Sequence, residues 1–75
     1  MSDVQRIVEI IKGAGELETL DASQDFYKAG IDSMKAMDVM LQLETDFGVT
    51  IPDERFIQAR TADALASLVD ALRAE

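Results

Sequence analysis

The sequence predicts an all-α fold, a small bundle of three main helices and one short helix. Apolar residues recur at helical spacing in three segments, so each segment can bury one face against the others. The chain has 75 residues with no Cys and no His, so disulfides and cysteine or histidine metal sites cannot stabilise it and packed helices must. No internal repeat or linker is visible, and we expect one domain over residues 1–75.

The first helix is predicted near the amino terminus. Its apolar stripe consists of Val4, Ile7, Val8 and Ile11. Ser2 and Gln5 have the S-x-x-Q spacing of a capping box, which favours a helix start at this point. Gly13 and Gly15 are expected to end the helix.

A long polar connection is predicted from Glu16 to Asp32, between the first and second helices. Five apolar side chains are distributed along it: Leu17, Leu20, Phe26, Tyr27 and Ile31. These side chains could hold the loop against the core at intervals. A loop of this length without regular structure is usually functional or disordered.

The second helix is predicted over Ser33 to Phe47, a segment without Gly or Pro and rich in Met, Leu and Ala, and Gly48 is expected to end it. One apolar stripe of this helix is wide enough to bury against the other helices. It comprises Ala36, Val39, Met40, Leu43 and Phe47.

A short helix is predicted after Pro52. Proline suits the first position of a helix, and Asp53 and Glu54 would lie near the positive end of the helix dipole. Phe56 and Ile57 are both expected to face inward.

The last main helix is predicted after Thr61, which can cap it. Its apolar stripe consists of Leu65, Leu68, Val69 and Leu72. With this stripe the three main helices can cover one another in a bundle.

Composition excludes several classes of function. The formal net charge of −8 repels the phosphate backbone, so we expect no nucleic-acid partner. The lack of His and Cys removes the usual activated nucleophiles, and acids such as Asp21 and Asp25 are best read as solvated, so we expect no enzyme activity. No stretch matches a calcium-binding loop, so a calcium sensor is discarded. No stretch matches a signal peptide or a membrane span, which predicts a cytoplasmic protein.

The second predicted helix carries a surplus apolar stripe beside its core stripe. The surplus stripe consists of Met34, Met37 and Leu41. Either the other helices wrap further round and bury it, or it is exposed, flanked by Asp32, Asp38 and Glu44, and docks on several partners. The pattern favours neither alternative over the other.

Ser33 follows Asp32 at the expected entrance to this helix. Unpaired backbone N–H groups and the helix dipole favour an anionic group there, so a phosphodiester on the Ser33 hydroxyl would be well placed. A serine at a helix start is more often only a cap, and Asp32 could equally be the cap. The local chemistry leaves these alternatives open.

One residue and two motifs stand out along the chain: Phe26, Gly30-Ile31-Asp32-Ser33-Met34 and Phe47-Gly48-Val49-Thr50-Ile51-Pro52. Together they resemble the acyl and peptidyl carrier protein family, and the resemblance covers nearly the whole chain. The resemblance implies an acyl-carrier-like helical bundle in which a phosphopantetheinyl transferase attaches 4'-phosphopantetheine covalently to Ser33. The arm would hold biosynthetic intermediates as thioesters and present them to partner enzymes. The resemblance also implies that Asp32 helps the transferase to recognise the site.

The same resemblance implies a partner surface and a set of partners. The surface would comprise Met34, Met37, Asp38, Leu41 and Glu44. The partners would be the transferase, a loading enzyme for an acyl or aminoacyl group, and a downstream synthase, ligase or thioesterase, all meeting a monomeric carrier. Met34 replaces a common leucine and Lys35 a common acid, which disfavours a general fatty-acid carrier. Polyketide, nonribosomal peptide, aminoacyl and specialised fatty-acid pathways remain open.

Because the chain begins at Met1 and ends soon after its last helix, we expect a discrete, stand-alone carrier. The alternative is an acidic helical adaptor that binds a basic amphipathic partner through its Met-rich patch, with Ser33 serving only as a helix cap.

Overall fold

The computed structural model describes residues 2–75, and this part of the chain contains four helices and no strand. The helices are α1 (Asp3–Gly15), α2 (Ser33–Phe47), α3 (Asp53–Gln58) and α4 (Ala62–Arg73). Helix α1 packs against both α2 and α4, and α3 packs against α4. The predicted bundle of three main helices and one short helix is confirmed.

Helix α1 begins as predicted, and its last residue is Gly15, one of the two glycines expected to end it. The Gln5 N–H donates to Ser2 Oγ at 3.2 Å and the Ser2 N–H donates to Gln5 Oε1 at 3.4 Å, which confirms the capping box. Gly13 lies inside the helix, so the expectation that it ends the helix is wrong. The end is instead closed by the N–H of Leu17, which donates to the Lys12 carbonyl at 2.9 Å, with Glu16 left-handed at φ 53°.

The core is formed by one face of each main helix. Its large, fully buried side chains on the helices are Ile7 and Ile11 of α1, Val39 and Leu43 of α2, and Leu65 and Val69 of α4, and the loop before α2 adds Phe26 and Ile31. Of the remaining members of the predicted stripes of α2 and α4, Ala36 is buried, and the others are half-buried against this core: Met40, Phe47, Leu68 and Leu72. The predicted apolar stripes of these helices are therefore confirmed.

The long loop before α2 is held against the core by its apolar side chains. Phe26, Ile31 and Leu20 are buried, and Leu17 and Tyr27 are half-buried against the same core. The anchoring inferred from the sequence is confirmed, and it fixes the end of the loop that leads into α2.

Helices α3 and α4 have short, well-defined starts. Pro52 is the residue before α3 and not its first helical residue, a shift of one position from the prediction. Thr61 caps α4 as predicted, since the Ala64 N–H donates to Thr61 Oγ1 at 3.0 Å. Gly48 ends α2 in the left-handed conformation, at φ 66°.

Candidate functional site

Ser33 is the first residue of α2 and its side chain is exposed. The cap of this helix is Asp32, whose Oδ1 accepts the Lys35 N–H at 2.9 Å. Of the alternatives left open by the sequence, the structure thus assigns the capping role to Asp32. The adaptor hypothesis treated Ser33 as the cap, and that part of it is wrong.

The chain reaches Ser33 through a tight, anchored turn. Gly30 has φ 124°, a conformation that a residue with a side chain rarely adopts. The Gly30 N–H donates to the Tyr27 carbonyl at 3.2 Å, and the Ile31 N–H donates to the Phe26 carbonyl at 3.1 Å. Because Phe26 and Ile31 are buried, this turn fixes the position at which α2 begins.

The surplus stripe of α2 is exposed. Met34 is 82% exposed, Met37 58% and Leu41 52%, so the other helices do not wrap round to bury it. This excludes the alternative in which the stripe belongs to the core. The stripe starts next to Ser33 and runs along the first two turns of α2, so a protein that binds it would meet Ser33 as well.

The acids expected around this stripe have different environments. Asp32 and Asp38 are exposed. Glu44 is half-buried, and its Oε2 accepts the Ile51 N–H at 2.8 Å. Glu44 therefore holds the segment between α2 and α3 against α2, a structural role that the sequence pattern did not indicate.

Ile57 adds to the exposed apolar surface. It is 60% exposed, whereas its neighbour Phe56 is 4% exposed, so the expectation that both face inward is wrong for Ile57. Adjacent residues on a helix point about 100° apart, and α3 turns Phe56 towards the core and Ile57 away from it. Helical spacing within α3 was the signal that could have identified Ile57.

A groove of about 210 Å³ lies between α2 and α3, next to Ser33. Its lining is mostly apolar and consists of Tyr27, Ser33, Ala36, Met37, Met40, Asp53, Phe56 and Ile57. The groove and the exposed stripe share Met37, so they form one continuous apolar surface beside the serine hydroxyl.

Asp25 takes part in a polar cluster on the loop before α2. Its Oδ2 accepts from Arg60 Nε at 2.8 Å, and its Oδ1 accepts from the N–H groups of Tyr27 at 2.9 Å and Lys28 at 3.3 Å. The hydrogen bond from Arg60 is the main reason that the pKa of Asp25 is lowered. Both oxygens of Asp25 therefore already accept hydrogen bonds, whereas Asp21 is exposed.

The burial of Tyr27 affects its hydroxyl. Partial burial beside the core raises the pKa of Tyr27, since the phenolate loses hydration there. The ring of Tyr27 lies 4.8 Å from that of Phe26, centroid to centroid. Tyr27 is thus a neutral, positioned side wall of the groove.

Two other kinds of site are not found over residues 2–75. This part of the chain has no group of three or more acidic, His or Cys side chains that could hold a metal ion. None of the helices in the same range is long and apolar enough to cross a membrane.

The arrangement around Ser33 suits a covalently attached anionic group. The hydroxyl is exposed, and Ser33 and Met34 belong to the first turn of a 15-residue helix, where backbone N–H groups lack helical acceptors. These N–H groups and the dipole stabilise negative charge. Asp32 Oδ1 is used by the cap, so this serine can be modified without loss of the helix start.

Comparison with known proteins gives a family match and shows similarity to an acyl carrier protein. A family described as "Phosphopantetheine attachment site" matches residues 5–69. A relative named "Acyl carrier protein 5, chloroplastic", from Arabidopsis thaliana, is 29% identical over 72 residues, which is 92% of this chain and 52% of the relative. The chain thus spans about half the length of that relative. No solved structure matches significantly.

Proposed function

This chain belongs to the family of phosphopantetheine-binding carrier proteins, and we propose that Ser33 is the residue that carries 4'-phosphopantetheine. The observation that carries the proposal is the exposed Ser33 hydroxyl, free of the capping role that Asp32 has, at the first turn of α2. When attached, the group supplies a thiol, on which an acyl or aminoacyl cargo is held as a thioester. The chain has no cysteine of its own to supply one.

Each residue near Ser33 has a proposed role. The Ser33 oxygen loses its proton and forms a phosphoester bond as the pyrophosphate bond of coenzyme A breaks and adenosine 3',5'-bisphosphate leaves. The N–H groups of the first turn of α2 stabilise the charge of that ester. Asp32 keeps α2 started through Oδ1. We propose that it is also the residue that the transferase recognises. The rest of the chemistry belongs to partner enzymes, so we propose that the chain is not itself an enzyme.

The exposed stripe of α2 is the proposed docking surface. Met34, Met37 and Leu41 offer an apolar contact, and Asp38 adds negative charge beside it. A partner with a shallow apolar pocket edged by Lys or Arg would complement this surface. Such contacts are weak and salt-sensitive, which suits a carrier that must leave one enzyme for the next. Glu44 is proposed for this surface with a smaller part, because its carboxylate is already bonded to the Ile51 N–H.

We also propose the classes of partner enzyme and of pathway. A transferase, a loading enzyme and a downstream synthase, ligase or thioesterase would act in turn on one monomeric domain over residues 1–75. Met34 and Lys35 support an aminoacyl, polyketide, nonribosomal peptide or specialised fatty-acid pathway over general fatty-acid synthesis. The cytoplasmic location stays a prediction from the sequence.

Mass spectrometry of the intact chain tests the proposal. The unmodified protein is incubated with coenzyme A, magnesium and a broad-specificity phosphopantetheinyl transferase, beside Ser33→Ala and Ser67→Ala. Ser67 is also an exposed helical serine, so it is a matched control. We expect the parent and Ser67→Ala to gain one phosphopantetheinyl group and Ser33→Ala to gain none. A folded parent that several transferases leave unmodified would contradict the proposal.

The exposed stripe also favours the second candidate, an adaptor that binds a basic amphipathic partner. In that case the partner would bind Ser33→Ala as tightly as the parent, and no cargo would be transferred. The carrier hypothesis expects Ser33→Ala to stay folded and to lose loading completely. Loading assays on this variant therefore separate the two functions.

A further inference from the structure

Arg60, in the short segment between α3 and α4, makes three different contacts with the loop before α2. Its Nε donates to Asp25 Oδ2 at 2.8 Å, and its carbonyl accepts the Phe26 N–H at 3.0 Å. Its Cζ lies 4.5 Å from the centroid of the Tyr27 ring. One residue thus contacts a charged, a backbone and an aromatic group on a segment 35 positions away.

These contacts reach Ser33 by two short routes. Along the chain, the Ile31 N–H bonds to the carbonyl of Phe26, and Ile31 directly precedes Asp32 and Ser33. Through space, Tyr27 lies under the Arg60 guanidinium and lines the groove that also includes Ser33. Arg60 therefore contacts one wall of the groove and the turn that leads into the first residue of α2.

We infer that Arg60 is a positioning residue, which holds Asp25 and Tyr27 so that the groove beside Ser33 is formed before any partner binds. The inference rests on the proposed function, in which partners act on Ser33. Arg60 is not proposed to touch the transferring group. By holding the loop, Arg60 raises the fraction of molecules in which the surface around Ser33 is ready for docking.

The cluster differs from an ordinary surface ion pair. Most exposed pairs contribute little, because both side chains lose freedom and solvent screens the charges. Here the Asp25 side chain is 24% exposed and the Arg60 side chain 49%, but the second oxygen of Asp25 is bonded to the loop backbone and the guanidinium also stacks on Tyr27. The held segment is a run of turns with bonds of its own, such as that from the Ala29 N–H to the Asp25 carbonyl at 3.2 Å, and Arg60 joins these turns to the segment between α3 and α4.

Loss of Arg60 should loosen the loop without unfolding the bundle, since Phe26 and Ile31 keep their places in the core. If the share of docking-ready molecules falls to about a third, the apparent affinity for a partner falls about threefold. The chemical step after docking is unchanged. The expected signature is a higher KM with the same kcat, which a loss of stability alone does not produce well below the melting temperature.

Arg55 provides a matched control. Its Nη1 forms an exposed ion pair with Glu75 Oε2 at 3.2 Å, so Arg55→Gln removes the same charge and a similar bond from a neighbouring position. In phosphopantetheinylation of the parent, Arg60→Gln, Arg60→Lys and Arg55→Gln, we expect about a threefold rise in KM for Arg60→Gln only. The KM of Arg60→Lys should lie between those of Arg60→Gln and the parent, because a lysine can pair with Asp25 but cannot stack flat on Tyr27. Equal KM values for Arg60→Gln and Arg55→Gln would overturn the inference.

Amide hydrogen exchange tests the same inference without a partner enzyme. We expect the Phe26 and Ile31 amides to exchange faster in Arg60→Gln than in the parent and in Arg55→Gln. Unchanged exchange at both amides would overturn the positioning role. If the parent itself is not modified, the proposed function fails, and hydrogen exchange still decides whether Arg60 holds the loop.

Discussion

The two apolar faces of α2 belong to the same 15 residues and have opposite environments. Val39 and Leu43 are fully buried, whereas Met34, Met37 and Leu41 are more than half exposed. A helix that only supports a core does not need the second face, and exposed apolar side chains beside Ser33 have a cost in solubility. The comparison supports the proposal that the buried face determines stability and the exposed face determines recognition.

The largest expected effect comes from a pair of leucines two positions apart. Leu43→Ala removes a fully buried side chain from the core, and we expect the free energy of unfolding to fall by about 2–5 kcal/mol. Leu41→Ala changes an exposed side chain, and we expect a change of about 0.5 kcal/mol or less. Urea unfolding measures both values, and similar losses for the two variants would break the division between the faces.

The second effect concerns recognition by the transferase. Met34→Gln combined with Met37→Gln keeps the length of both side chains and removes their apolar character. We expect kcat/KM for modification of Ser33 to fall about tenfold, because polar amides would be buried against the partner. Gln42→Ala, an exposed change on the same helix, is the control and should leave kcat/KM near that of the parent. A double variant modified as fast as the parent would show that the exposed face is not the docking surface.

A smaller effect separates the two residues at the start of α2. Asp32→Ala removes the side chain that accepts the Lys35 N–H, and we expect a loss of about 1 kcal/mol in the free energy of unfolding. Ser33→Ala removes no capping bond and should change stability by about 0.5 kcal/mol or less. Thermal unfolding of the two variants checks the assignment. A larger loss for Ser33→Ala than for Asp32→Ala would reverse the roles.

The sequence predicted the helices more completely than it predicted the surroundings of Ser33. Helix starts such as Ser2 and Thr61 depend on local hydrogen bonds, and local patterns predicted them correctly. Gly13 did not end α1, because the closing bond from the Leu17 N–H to the Lys12 carbonyl forms two residues beyond Gly15. A glycine pattern alone does not determine where such a bond forms.

The environment of the site depended on contacts between distant residues, which local patterns do not contain. The surplus stripe was visible in the sequence, but its exposure depended on how far the other helices wrap round α2. The apolar character of Ile57 predicted a place in the core, but α3 turns its neighbour Phe56 inward and leaves Ile57 exposed. The pairing of Arg60 with Asp25 joins two loops, and nothing in either segment predicted it.

The smallest expected effect is that of low pH, which acts on Asp25 in the loop beside the groove. The hydrogen bond from Arg60 lowers the pKa of Asp25 below its ordinary value of 3.8, so the unfolded chain binds a proton at this carboxyl more readily than the folded chain. The stability that this group contributes is therefore complete above the unfolded pKa and is lost as the pH falls through the folded pKa. Asp25→Asn lacks this titration, so its deficit in unfolding free energy relative to the parent should narrow as the pH falls from roughly 6 to 3.

Urea unfolding at several pH values measures that narrowing, and the variant with glutamine in place of Met34 and Met37 is its control. The exposed face should contribute nothing to the pH dependence of the unfolding free energy, so this double variant should follow the parent at every pH. If it lost more stability in acid than the parent does, the exposed face would be coupled to the loop that Arg60 holds. Recognition and stability would then share residues, and the division between the two faces of α2 would not hold.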